Sequence, residues 1–162
     1  MPPIGIAGQK GANAWWRQSG SHGRENNRSM LFRGCAMRKI IFHDSVLIGV
    51  EHISSDKKLN LTFEFGTRER CQVVLNGVQS LRVTDFIGQN VVSRVLDSKA
   101  DRMPESTIVD RLNWLYMLSD GSVRVDDDVI NKSMAGVIAG TLRLFCIEPS
   151  WGAELVCLCS ES

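Results

Sequence analysis

The sequence predicts an α+β domain, a curved antiparallel sheet built from a β-meander and a C-terminal hairpin, with one or two covering helices. Three observations carry this. Leu59, Leu61, Phe63 and Phe65 alternate with Asn60, Thr62 and Glu64, the period of two that a half-buried strand requires. Ile108, Leu112 and Leu115 recur at the i, i+4, i+7 spacing of an amphipathic helix. The last segments are apolar on both faces, with Leu142, Leu144 and Cys146 on one side and Phe145 and Ile147 on the other. Strands of that kind belong in the middle of a layered structure, so the C-terminal hairpin should be central and the helices should cover one face.

Taken in order, residues 38–42 and 46–53 read as strands, and Ser54-Ser55-Asp56-Lys57-Lys58 as the polar turn into the alternating strand. Residues 66–70 turn into a strand at 71–75, and Asn76-Gly77 is a strong turn dipeptide. Residues 78–86 read as a strand or a turn and strand. Ile87-Gly88-Gln89-Asn90 breaks the pattern, and 91–96 resumes it. Pro104-Glu105 suits a helix start, with proline in the first turn and an acid near the positive end of the dipole. Residues 107–125 admit two readings. One is a helix ending near Ser119 with Gly121 just beyond; the other is a hairpin around Asp120-Gly121. The helix is the reading taken. Asp126-Asp127-Asp128 suits the cap of a second short helix over 129–139, weakened by Gly136. Strands at 141–147 and 153–159 flank a turn at Glu148-Pro149-Ser150-Trp151-Gly152.

Composition divides the chain near Met37. Residues 1–36 are rich in Gly, Asn, Ser and Arg and show no apolar period, the signature of a disordered extension. Residues 1–39 hold seven basic side chains against Glu25 alone, a net of +6; of the chain's 19 basic and 18 acidic residues this leaves 12 against 17, a net of −5. A basic tail is thus joined to an acidic single domain over 37–162. Met30 and Met37 are alternative starts, and Met37-Arg-Lys-Ile-Ile-Phe reads as a natural opening because a strand follows at once. No apolar run is long enough to span a bilayer, and the N-terminus lacks the pattern of a secretory signal. A cytoplasmic location is expected. The five cysteines are odd in number and form no CxxC pair, which suits buried reduced thiols better than disulfides or zinc.

Several polar clusters are candidates for chemistry. His43-Asp44 with His52 would make a weak metal or acid–base site if the strands bring them together. Two histidines nine positions apart carry no ligand signature, and turn chemistry explains His43-Asp44 equally well. Asp126, Asp127 and Asp128, with Asp120, can form an acidic face suited to a basic partner. They lack the glycine and terminal glutamate of a calcium loop. Trp151, in a loop, is either an interface anchor or a lid folded over the sheet. Ser150 has no nucleophile context. Trp15-Trp16-Arg17 in the basic tail is the feature that a nucleic acid or an anionic surface would use.

The opening Phe42-His43-Asp44-Ser45-Val46-Leu47, the meander, and the closing Phe145-Cys146-Ile147-Glu148-Pro149-Ser150-Trp151-Gly152-Ala153-Glu154 resemble small uncharacterised bacterial domains. Some of these look like immunity proteins of polymorphic toxin systems. The resemblance runs from about Met37 to the C-terminus. It implies no catalysis, no cofactor and no catalytic residues. Such proteins bind and block a cognate toxin domain through an acidic or aromatic surface. The basic tail departs from that pattern.

The expectation is therefore a non-catalytic domain that occludes one protein partner through Asp120, Asp126, Asp127, Asp128 and Trp151. The alternatives are nucleic-acid binding through the tail and a small metal-dependent enzyme at His43, Asp44 and His52. Exposed strand edges make a homodimer a further expectation.

Overall fold

The computed structural model describes residues 42–160. The tail, the strand expected at 38–42 up to residue 41, and Cys35 lie outside the described residues. Seven strands form one antiparallel sheet: β1 (Val46–Ile53), β2 (Lys58–Glu64), β3 (Arg70–Asn76), β4 (Val78–Thr84), β5 (Val91–Asp97), β6 (Leu142–Trp151) and β7 (Glu154–Ser160). Two helices, α1 (Glu105–Tyr116) and α2 (Asp127–Ile138), connect β5 to β6. The α+β class and the curved sheet are as the sequence predicts. Neither helix is long and apolar enough to cross a membrane.

The strand order is β3-β2-β1-β5-β6-β7-β4. β3 and β4 therefore stand at opposite edges although only Gly77 separates them. Three consecutive residues span about 7 Å at most, so the sheet must curl until its edges meet at that corner. There the Val78 N–H donates to the Lys57 carbonyl at 2.8 Å, and the Ser160 N–H donates to the Gly77 carbonyl at 3.0 Å. Gly77 has φ +65°, and a Cβ on it would fall 1.9 Å from Ser160 Oγ. Asn76-Gly77 turns as expected, yet it makes a corner rather than a hairpin, because β4 pairs with β7. The two edges diverge from there without a ladder, and the sheet stays open.

β6 and β7 supply two cores at once. Phe145, Ile147, Leu155 and Cys157 point into the curl and pack with Leu59, Leu61, Phe63 and Leu75. Leu144, Cys146, Val156 and Leu158 point outward and are covered by Ile108, Leu112 and Leu115 of α1 and Ile130 and Val137 of α2. Each strand is buried on both faces by this two-layer arrangement, which is what its continuous apolar run demands.

Three local expectations change. α1 stops at Tyr116, and the rival hairpin survives beyond it as a single bridge, Met117 to Val123, closed around Asp120-Gly121. The end of α1 is fixed by Arg82 of β4, whose Nη1 donates to the Trp114 and Met117 carbonyls. The same guanidinium lies 4.5 Å over the Trp114 ring, so one side chain satisfies helix-end carbonyls and makes a cation–π contact. α2 begins two residues earlier than expected, and Asp126 at its N-cap makes no side-chain capping bond. Finally, the turn expected at 148–152 contracts, because β6 runs on through Pro149 to Trp151. Proline is tolerated there because the β5–β6 ladder is irregular on both sides of Val92, the residue opposite Pro149.

Candidate functional site

Three chain segments meet at one end of the sheet. The β5–β6 ladder puts Trp151 opposite Val91, and the β4–β7 ladder puts Thr84 opposite Glu154. The β4–β5 loop and the β6–β7 turn are thereby neighbours. Asn90, 3% exposed, ties them to the start of β1. Its Nδ2 donates to the carbonyls of Leu47 (3.1 Å) and Ile87 (2.8 Å). Its Oδ1 accepts from the N–H groups of Ile87 (2.9 Å) and Ala153 (3.1 Å). Two carbonyls on one side and two N–H groups on the other leave a single sensible orientation for the amide. The Asn90 backbone carbonyl also accepts from Leu47 N–H at 2.8 Å.

Around this buried knot the side chains are apolar and exposed. Trp151 is 64% exposed, Phe86 47%, Ile87 45% and Ile48 38%. Exposed apolar residues scattered singly are ordinary. These four lie on segments that one buried amide joins, and a tryptophan beside a fixed turn is the kind of anchor that interfaces use. The turn is tight. Gly152 has φ +83°, and a Cβ there would lie 2.7 Å from both the Gln89 carbonyl and Asn90 Oδ1. Gly152→Ala should therefore cost about 2–4 kcal/mol, from the left-handed backbone and the contact with the Gln89 backbone together. A urea titration checks it; a loss under about 0.5 kcal/mol would show that the turn can move away from the loop.

The helical layer is fastened to the sheet by charge. Arg111 of α1 donates to Glu154 at 2.7 Å and also to Glu148, which Arg94 of β5 grips as well. The hydrogen bond and then the charge of Glu148 raise the pKa of Arg94. Two guanidinium groups and two carboxylates balance, and the network ties α1 to β5, β6 and β7.

The residues singled out in the sequence fall into three places. Trp151 is exposed rather than folded over the sheet. Asp120, Asp126, Asp127 and Asp128 are exposed on the connection between α1 and α2 and the first turn of α2, and no described contact joins them to Trp151. Asp120 Oδ1 accepts from the Ser122 hydroxyl (2.6 Å) and N–H (2.9 Å), which hold its carboxyl below the ordinary range. Its local work is closing the turn. Asp127 and Asp128 lie in the first turn of α2, where the helix dipole favours them. His43 and Asp44 pair with each other at 2.9 Å, exposed in the turn before β1. His52 lies near the other end of β1, opposite Leu59, roughly 20 Å or more away at the rise of a strand. The three do not converge. Among the described residues no group of three or more His, Cys, Asp or Glu is placed to hold a metal ion.

Cys71, Cys146, Cys157 and Cys159 are buried. Burial pushes the Cys146 thiol up to about 12. A hydrogen bond with Cys159 and then burial push the Cys157 thiol up as well. Both are held as neutral thiols, poor nucleophiles. A cleft of 760 Å³ lies between the β5–α1 loop and the end of α2, lined by Lys99, Arg102, Asp101 and Glu105 among others. Its mixed charges favour neither an anion nor a cation.

What sequence reasoning missed is Asn90 and its neighbours. Phe86 reads as a core position of a strand, and Ile87 and Asn90 read as a break. No family model matches the chain, and no curated protein or solved structure matches it either.

Proposed function

We propose that the protein is a small non-catalytic binding domain that occludes one protein partner, in the manner of the immunity proteins its sequence resembles. A toxin domain is the partner that resemblance implies. The anchor is the end of the sheet where Asn90 joins the segments that carry the exposed Trp151, Phe86 and Ile87. One observation carries the reading: Trp151 is 64% exposed on a turn that Asn90 and Gly152 fix in place. A large aromatic side chain with few rotatable bonds, carried on a backbone already fixed, loses little freedom on binding, so the apolar area it buries goes into affinity. The acidic connection at Asp120 and Asp126–Asp128 lies apart, and its role is attraction of a basic partner before contact.

The test is capture of a partner from native lysate with the tagged full-length chain, followed by affinity measurement with purified partner. Trp151→Ala should weaken binding by about 30-fold or more, the loss typical of an interface hot spot. Reversing the charges at Asp126, Asp127 and Asp128 should slow association and leave dissociation unchanged. Capture of nothing, or a Trp151→Ala variant that binds within twofold of wild type, would overturn the proposal.

A further inference from the structure

β6 and β7 part before their turn. The ladder between them runs from Leu142 opposite Ser160 to Ile147 opposite Leu155 and goes no further. Beyond it each strand follows its other neighbour. β6 continues along β5, with Pro149 opposite Val92 and Trp151 opposite Val91; β7 begins with Glu154 opposite Thr84 of β4. Residues 148–154, which carry Trp151, thus have no ladder between the two strands. By the register of Ile147 and Leu155, the next facing positions are Glu148 and Glu154. Like charges in facing positions destabilise a strand pair. Arg111 of α1 bridges these two, its Nη1 donating to Glu154 at 2.7 Å and its Nη2 to Glu148. Arg94 also grips Glu148, whereas among the described residues Arg111 is the one cation paired with Glu154. A planar guanidinium can serve two carboxylates at once through separate donors.

We infer that Arg111 is a positioning residue for the Trp151 anchor: by bridging Glu148 and Glu154 it holds closed the end of the hairpin that the backbone leaves unpaired. This rests on the reading of Trp151 as an anchor and adds a residue, on a different element, that sets where the anchor stands. Asn90 holds the same segment from the other side, through the Ala153 N–H. The segment is therefore tied near its turn by one buried amide and at its base by one guanidinium. α1 acts on the binding end through that guanidinium, without meeting the partner itself.

Amide hydrogen exchange of the full chain, read residue by residue by NMR, tests this without a partner. Arg111→Met keeps most of the aliphatic stem and removes the bridge. The Ala153 amide should then exchange about tenfold faster or more, because opening the segment no longer breaks two charge-assisted hydrogen bonds. The amides of Leu155–Leu158, inside the β6–β7 ladder, should change much less. Adding Glu154→Gln to Arg111→Met removes the charge left facing Glu148 and should return Ala153 to within about threefold of wild type. Equal acceleration at Ala153 and in the ladder would make Arg111 a general support of the fold and overturn the inference. So would an Ala153 amide that Arg111→Met leaves within about twofold of wild type, or one that Glu154→Gln does not restore. These rates need no partner, so they decide the role of Arg111 even where the Trp151→Ala variant has overturned the anchor reading.

Discussion

Asn90→Ala is expected to lower the unfolding free energy by about 3–4 kcal/mol, because it strips four hydrogen bonds and leaves buried groups without partners. The Ala153 N–H and the Leu47 carbonyl belong to residues 1% and 0% exposed. Water cannot replace the amide there without opening the knot. Ile87 is exposed, so its N–H and carbonyl can be resolvated at small cost. The loss should thus come mainly from two groups. It is a large part of the 5–15 kcal/mol that holds a typical domain. A guanidinium titration should show a lower midpoint with a similar slope. The same variant should weaken partner binding, since Trp151, Phe86 and Ile87 lose their common support. A stability loss below about 1 kcal/mol would mean that the three segments hold their places without Asn90.

Asp97→Ala should cost about 3–5 kcal/mol, the range for removing one member of a buried ion pair. Asp97 receives Arg143 Nε at 2.8 Å on Oδ1 and Arg143 Nη2 at 2.7 Å on Oδ2. The side chains are 3% and 15% exposed. Oδ1 also accepts from the Lys99 N–H at 3.1 Å, so the carboxylate shapes the turn into the β5–α1 loop as well. The Arg143 guanidinium lies 5.6 Å from the Phe145 ring centroid, at the rim of the inner core. Replacing both partners, Asp97→Ala with Arg143→Met, should cost less than the sum of the single changes, because the two share one bidentate ion pair that either change already breaks. Additive losses in that cycle would show that the two side chains stabilise the fold independently.

Much of the fold is legible in the chain itself. The alternation at residues 59–65, the helical spacing of Ile108, Leu112 and Leu115, and the two-faced apolar run at 142–158 each became the element they announce. Each is a local pattern, and local patterns record which faces are buried. The site is less legible. Trp151 stands out in its loop, but its direction depends on what surrounds it, and a loop tryptophan folded inward has the same sequence as one pointing out. His43, Asp44 and His52 look like neighbours on paper, and one strand's length keeps His52 from the other two. Asn90 reads as a break between strands because its partners are Leu47 and Ala153, 43 and 63 positions away.

The chain's local periodicities determined its class, most of its elements and the two-faced burial of the C-terminal hairpin. Tertiary structure decided how those elements connect. Asn76-Gly77 specifies a turn, yet whether that turn makes a hairpin or a corner depends on which partner β4 finds. β4 pairs with β7, so the sheet curls, and its two edges part beyond Gly77. The physical reason is that strand pairing and single buried hydrogen bonds are long-range choices among competing partners, settled by the free energy of the whole packed arrangement.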